Sequence, residues 1–519
     1  MKYKILYFLD YGKSFGGAAN TLLQQAILMK KAGHEVTIFM SDYYGIEIEK
    51  GYKEICIANQ ITFNWLTYQI CSHTEDIDII CLLQNYEFTR EIVKKYKPDI
   101  LHSVQINPLV ELVGRDLKIP HIMNIYQLIP AFFSVKYMNI FPYYHICDSK
   151  IYAEKWNYYL ETDYTCIRTV VNKDNKQEKK VKKDKELNYI CVGSVDKRKN
   201  QLGVIKAFHR ALLNGLKGSL AVYGYKKNAY GEQCQRYIEE NNLQEKISMK
   251  GFCSDMQQEY AHADILICGS RIESYPNVIS EAMANRLIVV STPVAGVPEI
   301  VKDGINGYLS YDYSVEAICD KILESYNDYK SGKINNVLES TYETYLKNHS
   351  PKVVTENLIK YYSYVVQNNK DRKNIDVSFI KNKFSDIIYV YEKNKRTFSD
   401  SKFVGGKLWY IYHIKDILMG KSKNTYLKYY IWGTGKYAKH VKEIIDIFFP
   451  DIEISGFLDT YKQGKYMEKD IWDSGEIIKE ENSIIFVGAI NGQNEMIEQL
   501  EENNKRYNQD FFIIAPRSW

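Results

Sequence analysis

Strand-length apolar runs alternate with helix-length stretches along most of this 519-residue chain, and no other feature narrows its fold so far. Alternating strands and helices build parallel sheets with ligand crevices beyond the carboxyl ends of the strands. A first series opens with a buried strand at Lys4–Leu9, a turn from Gly12 to Gly17, a helix over Ala18–Lys31 ended by Gly33, and a strand at Val36–Met40. Further strands are expected at Ile79–Leu83, Asp99–Val104, His121–Ile125 and Ile146–Asp148, then a helix at Ile151–Tyr159. Residues 173–186 (KDNKQEKKVKKDKE) hold Val181 as their one strongly apolar side chain and read as a solvated connector. A second series then runs from a strand at Leu187–Val192 to strands at Asp264–Cys268 and Leu287–Ser291, with a glutamate-bearing helix between these last two.

At this length, with 45% hydrophobic residues, the chain can fill about three cores. The 10 cysteines form no C-x-x-C pair, and the apolar run at Ile5–Leu9 is too short for a signal peptide or a membrane span, so the expected compartment is the cytoplasm. With 68 basic and 64 acidic residues, charge gives no reason to expect nucleic acid as a partner.

The chemistry concentrates in Glu273-Ser-Tyr-Pro-Asn-Val-Ile-Ser-Glu281. Glu273 sits in the loop after a strand and Glu281 inside the helix that Pro276 helps to start. The N–H groups at that helix start attract phosphate, and the two carboxylates can accept hydrogen bonds from sugar hydroxyls, a layout suited to a nucleotide sugar. Gly16 and Gly17, between the first strand and its helix, let backbone approach such a ligand closely, and Lys197, Arg198 and Lys199 stand beyond another strand end.

These residues resemble the retaining nucleotide-sugar glycosyltransferases of family 4. The resemblance spans roughly residues 1–368 and is carried by Glu273 and Glu281 within ESYPNVISEAMA, Val192-Gly193 followed by Lys199-Asn200, and the run Gly296 to Gly307 (GVPEIVKDGING). It implies an α/β chain of GT-B architecture, two facing Rossmann-like domains with a cleft between them. It divides the chain into an acceptor-side domain (1–172), the connector (173–186), a donor-binding domain (187–345) and a segment (346–369) whose helix at Lys352–Val366 returns to the first domain. By resemblance Glu273 contacts hydroxyls of the transferred sugar, Glu281 holds the ribose, and a basic pair neutralises the diphosphate. Asn277, Gly193, Gly16 and Gly17 join the donor-binding candidates. No metal or cofactor is implied as a requirement; the donor is a UDP- or GDP-linked sugar.

The chain departs from that pattern in places. Ser194 stands where an arginine is usual, so Lys199 needs a neighbour, for which Arg198 is the candidate. Arg286 and Ile288 replace a usual Gly and Pro after the glutamate helix, so a left-handed terminator is expected to be missing. Tyr126 occupies a usual histidine position and, with a phenol pKa near 10, serves position better than proton transfer. His102 matches another family histidine and reads equally as a substrate contact or a satisfied core residue. A competing metal reading rests on Asp76-Ile-Asp78, a D-x-D without the context that chemistry needs.

Residues 370–425 carry 13 Lys/Arg against 6 Asp/Glu, with aromatics in FVGGKLWYIY (Phe403–Tyr412). They read as a peripheral site for an anionic membrane surface or as an irregular connector packed on the preceding domain. Residues 426–519 form a third, small Rossmann-like unit, whose ligand candidates are Gly433, Gly435 and Asp459 and whose plainer use is docking or homo-oligomer formation. The expected activity is sugar transfer to an oligosaccharide or polyprenyl-linked glycan in bacterial capsule or O-antigen synthesis. The alternative is a nucleotide-sugar-binding scaffold of a polysaccharide assembly with weak transfer activity.

Overall fold

The computed structural model describes residues 1–9, 17–41, 50–66, 78–104, 107–126, 143–160, 162–171, 186–225, 227–253, 256–369, 377–421 and 426–515. Residues 12–16 of the expected turn from Gly12 to Gly17 and residues 173–185 of the connector lie outside them.

Three open sheets organise the described residues. The first has seven parallel strands in the order Thr62–Leu66, Glu35–Ser41, Lys4–Leu9, Ile100–Val104, His121–Asn124, Tyr144–Cys147, Asp163–Cys166. The second has six parallel strands in the order Ile247–Lys250, Gly218–Tyr223, Leu187–Val192, Ile265–Cys268, Ile288–Ser291, Tyr308–Leu309. The third, formed by Gly464–Tyr466, Lys469–Asp473, Ile454–Asp459, Lys428–Trp432, Ser483–Val487 and Phe511–Ile513, is parallel except for its first pair. In each sheet the chain order reverses beside the first strand of the series, which opens a crevice at that strand's carboxyl end.

One expected strand is a helix. Residues 79–83 open the helix Ile79–Tyr96, because Leu82, Tyr86, Thr89 and Val93 recur at helical spacing and bury one face. Asp78 caps that helix, its side chain accepting from Cys81 N at 2.9 Å, so the acid invoked for a metal is occupied in starting a helix; Asp76 lies outside the described residues. The place left in the sheet is filled by the strand Thr62–Leu66, whose short, mixed run gave no alternation to read.

Two segments tie the sheets together. The helix Pro351–Gln367 returns to the first sheet and buries Val354, Leu358, Tyr362 and Val365 in the same core as Tyr7 and Leu22. Residues 377–421 are largely helical rather than irregular: Val377–Asn394, Ser401–Gly405 and Leu408–Lys421. Phe384 stacks on Trp409 at 4.7 Å between ring centres, and one hydrophobic core runs from the helix Ile79–Tyr96 through Phe384, Trp409 and Tyr410 to Phe448 and Phe486 of the third unit. Of the aromatics in that stretch, Trp409 and Tyr410 are buried in this core, a full burial worth about 1.5–3 kcal/mol each, and Phe403 and Tyr412 pack against it half-buried. Among the described residues no helix is long and apolar enough to cross a membrane.

Candidate functional site

The second sheet's crevice lies between Gly218–Tyr223 and Ile265–Cys268, at the carboxyl end of Leu187–Val192. Gly193 leaves that strand at φ +145°, and a Cβ there would lie 3.5 Å from Cδ and Cε of Lys199, so the lysine stem lies over the turn. Asp196 ties the turn down: Oδ1 accepts from Lys199 N at 2.9 Å and Oδ2 from Ser194 Oγ at 2.8 Å. Ser194, standing where an arginine was expected, thus orders the loop that presents Lys199. The Lys199 ammonium lies 2.5 Å from Glu273 Oε1, and Arg198 donates to the same oxygen. The basic pair and the first glutamate, 74 and 75 positions apart in sequence, converge.

The helix Asn277–Ala284 follows directly, with Pro276 at its N-cap and no side chain capping it. Ile279 N donates to Pro276 O at 3.0 Å, and the N–H groups of Asn277 and Val278 precede that first bond, where a helix start receives an anion. It does end in a left-handed residue: Arg286 takes φ +52°, with Arg286 N bonded to Met283 O at 3.1 Å and Leu287 N to Ala282 O at 2.9 Å. This corrects the expectation of a missing terminator. The guanidinium offsets the strain by lying 3.9 Å from the centre of the Tyr342 ring and pairing with Glu339 at 2.8 Å. Glu281 Oε2 accepts from Tyr260 Oη at 2.5 Å. Burial pushes the Glu281 carboxyl up, while Tyr260 and the Lys199 charge hold it back.

The facing wall comes from the first sheet. Gly17 begins the helix Gly17–Lys31, and a Cβ on it would stand 3.6 Å from Asn277 Nδ2, so the starts of two helices meet across the cleft. Gly16 lies outside the described residues. His102 does not reach the cleft as a free base: it is fully buried, Nδ1 accepts from Tyr362 Oη at 2.6 Å and Nε2 donates to Asn124 Oδ1 at 2.9 Å. Burial pushes it down to about 3, and it stays neutral as part of a polar chain that continues from Asn124 to Gln25 at 2.8 Å. The Tyr126 phenolic oxygen is enclosed, and burial, with the charges of Asp148 and Cys147, raises its pKa well above the ordinary value. His102 is thus held in the framework by both ring nitrogens, while Tyr126 packs half-buried against the same core with no hydrogen-bond partner for its hydroxyl among the described residues.

Sequence reasoning missed the groups that grip the Glu273 loop: Asp148, Ser149, Arg168 and Thr169. The available signal was position, since all four follow the carboxyl ends of first-sheet strands. Asp148 stood at the end of an expected strand without being assigned a role.

In the third unit, Gly433 at φ +118° turns the chain into Gly435, the N-cap of Lys436–Phe448. Asp459 Oδ2 accepts from Thr434 Oγ1 at 2.7 Å, and its Oδ1 accepts from the backbone of Tyr461 and Lys462 at 3.0 and 3.1 Å. Gly433 and Gly435 thus lie beside Asp459, whose carboxylate orders the loops around it.

Two facing parallel sheets with a returning helix give the chain the GT-B fold seen in solved glycosyltransferases. Residues 172–338 match the model of Glycosyl transferases group 1. A glycosyltransferase from Rickettsia africae ESF-5 superposes with a TM-score of 0.60 at 18% identity, covering 71% of this chain and 99% of its own. Anabaena HepE, solved in complex with UDP, gives 0.57 at 16%, covering 70% and 100%. Poly(glycerol-phosphate) alpha-glucosyltransferase of Bacillus subtilis (strain 168) is 25% identical over 140 residues, 27% of this chain and 20% of that enzyme. The aligned parts span about a fifth to a third of the first curated relatives' lengths.

Proposed function

We propose that this chain is a retaining, metal-independent glycosyltransferase that moves a hexosyl or N-acetylhexosaminyl group from a UDP- or GDP-linked donor to a glycan or lipid-linked acceptor in bacterial surface polysaccharide synthesis. One observation carries the reading: Lys199, Arg198 and Glu273 meet beside the uncapped start of the helix that also bears Glu281. An arriving diphosphate competes with Glu273 for Lys199 and Arg198. The cations then shield the charge that develops on the leaving diphosphate, the helix start adds its N–H groups, and the released Glu273 accepts from sugar hydroxyls. Glu281, held by Tyr260, turns its carboxylate to the ribose. The acceptor oxygen bonds to the anomeric carbon on the face from which the diphosphate departs, its proton passing to the departing diphosphate oxygen as the anomeric C–O bond breaks, which retains configuration. UDP bound to the Anabaena relative supports a uridine donor.

Sugar release from a panel of UDP- and GDP-sugars, with Glu273→Ala as control, tests this. Release by the parent chain and its loss in the variant support the reading, and the anomeric proton coupling of the product reports the stereochemistry. Silence across every donor and acceptor tried would sink it and favour a binding scaffold.

A further inference from the structure

The loop carrying Glu273 belongs to the second sheet by sequence, yet the first-sheet half holds it at three positions. Ser274 Oγ donates to the Asp148 carboxylate and lies 3.1 Å from Ser149 Oγ. The Tyr275 ring lies under the Arg168 guanidinium, 5.2 Å from its centre, and its hydroxyl donates to His349 Nε2 at 3.3 Å while His349 Nδ1 donates to Thr169 O at 2.9 Å. Asn277 Oδ1 accepts from Thr169 Oγ1 at 2.9 Å.

A second contact braces the first. Arg168 donates to the Asp148 carbonyl and to Glu299, and the two Glu299 oxygens accept from Lys150 N and Ile151 N at 3.0 Å each, capping the helix Lys150–Leu160 across the cleft. Gly296 is pressed so closely that a Cβ would fall 2.5 Å from Ser149 Cβ. Asp148 is 4% exposed and Arg168 7%. Losing one partner of a buried charged hydrogen bond leaves the other without compensation, so the grip is held or lost as a unit.

We propose that the first-sheet half clamps the donor loop, with Asp148, Arg168 and Thr169 as positioning residues that set Glu273 and Asn277 for the sugar; this rests on the glycosyltransferase reading. The nucleotide contacts, Lys199 and Glu281, stay on the second sheet. Nucleotide affinity and sugar positioning are therefore separable, and a displacement of about 1 Å at Glu273 costs on the order of 10²-fold in turnover without loosening the nucleotide.

The test uses the full chain with Asp148→Ala, Thr169→Ala and the conservative Asp148→Asn, which keeps an oxygen to accept from Ser274. Amide hydrogen exchange is followed at residues 273–284 and at 187–192, calorimetry uses UDP and GDP as probes, and kcat is measured with whichever donor the panel identifies. Asp148→Ala and Thr169→Ala are expected to raise exchange at 273–284 about fivefold or more and leave 187–192 unchanged. They should lower kcat at least about tenfold with the nucleotide Kd within about twofold, and Asp148→Asn should restore both. Unchanged exchange at 273–284, exchange rising equally in both segments, or Asp148→Asn as damaging as Asp148→Ala would each overturn the clamp. If the parent chain binds neither nucleotide and cleaves no donor, the glycosyltransferase reading falls and takes the positioning role with it, while the exchange pattern still decides whether the loop is held from the first sheet.

Discussion

Lys199 and Arg198 share one carboxylate oxygen but differ in setting: the lysine side chain is 16% exposed and the arginine 42%. A cation enclosed beside a leaving diphosphate is worth about 3–4 kcal/mol of transition-state stabilisation, whereas an exposed one is screened. Lys199→Ala is expected to lower turnover by roughly 10²-fold or more, and Arg198→Ala by roughly tenfold or less; equal losses in steady-state donor cleavage would give Arg198 the same standing. Asp148 carries a pH signature. Burial pushes its carboxyl up to about 7, Ser274 and Arg168 moderate the rise, and Glu273 adds to it. The unfolded chain releases that proton near pH 4, so between about pH 4 and 7 the native state holds the extra proton and stability falls as pH rises, by at most about 1.4 kcal/mol per unit. Thermal denaturation across that window should show a shallower fall for Asp148→Asn than for the parent chain; identical slopes would return Asp148 to an ordinary carboxyl.

At the scale of single elements, the helix Lys150–Leu160 takes its N-cap from Glu299, a residue of the other half of the cleft. Glu299→Ala removes two acceptors for helix N–H groups and the partner of Arg168. The expected cost is about 1–3 kcal/mol, read as a lower denaturant midpoint, and a loss under about 0.5 kcal/mol would show that the helix start finds other partners. Arg286 sets two effects of similar size against each other. Glycine at this left-handed position would relieve about 0.5–1 kcal/mol of strain, while the ring contact with Tyr342 and the pair with Glu339 contribute about as much. Arg286→Gly is therefore expected to shift stability by less than about 0.5 kcal/mol in the same assay. Spacing alone placed the glutamate helix well, because its turn, start and acids are local in sequence; it could not show that an arginine would take the terminator's conformation.

For the whole molecule, the helices of residues 377–421 join the first sheet to the third through one continuous core. Trp409→Ala removes the ring stacked on Phe384 and should cost about 3–5 kcal/mol, splitting a single unfolding transition into two, one for each unit; one unsplit transition at the parent midpoint would mean the units are not coupled there. The sequence by itself determined the alternating strands and helices and the second-sheet side of the cleft. Hydrophobic period, glycine turns and the Glu273–Glu281 spacing are local signals, and Gly193, Lys199 and the helix start lie within short reach of the strands that position them. The tertiary structure alone decided the rest. It made residues 79–83 helical, because burial selects one face of that segment, and it closed His102 into the framework, because Tyr362 of the returning helix and Asn124 of a neighbouring strand take both its ring nitrogens. It also brought Asp148, Arg168 and Thr169 onto a loop more than 100 positions away, since hydrogen bonds across a cleft depend on how two sheets dock and no local pattern encodes that.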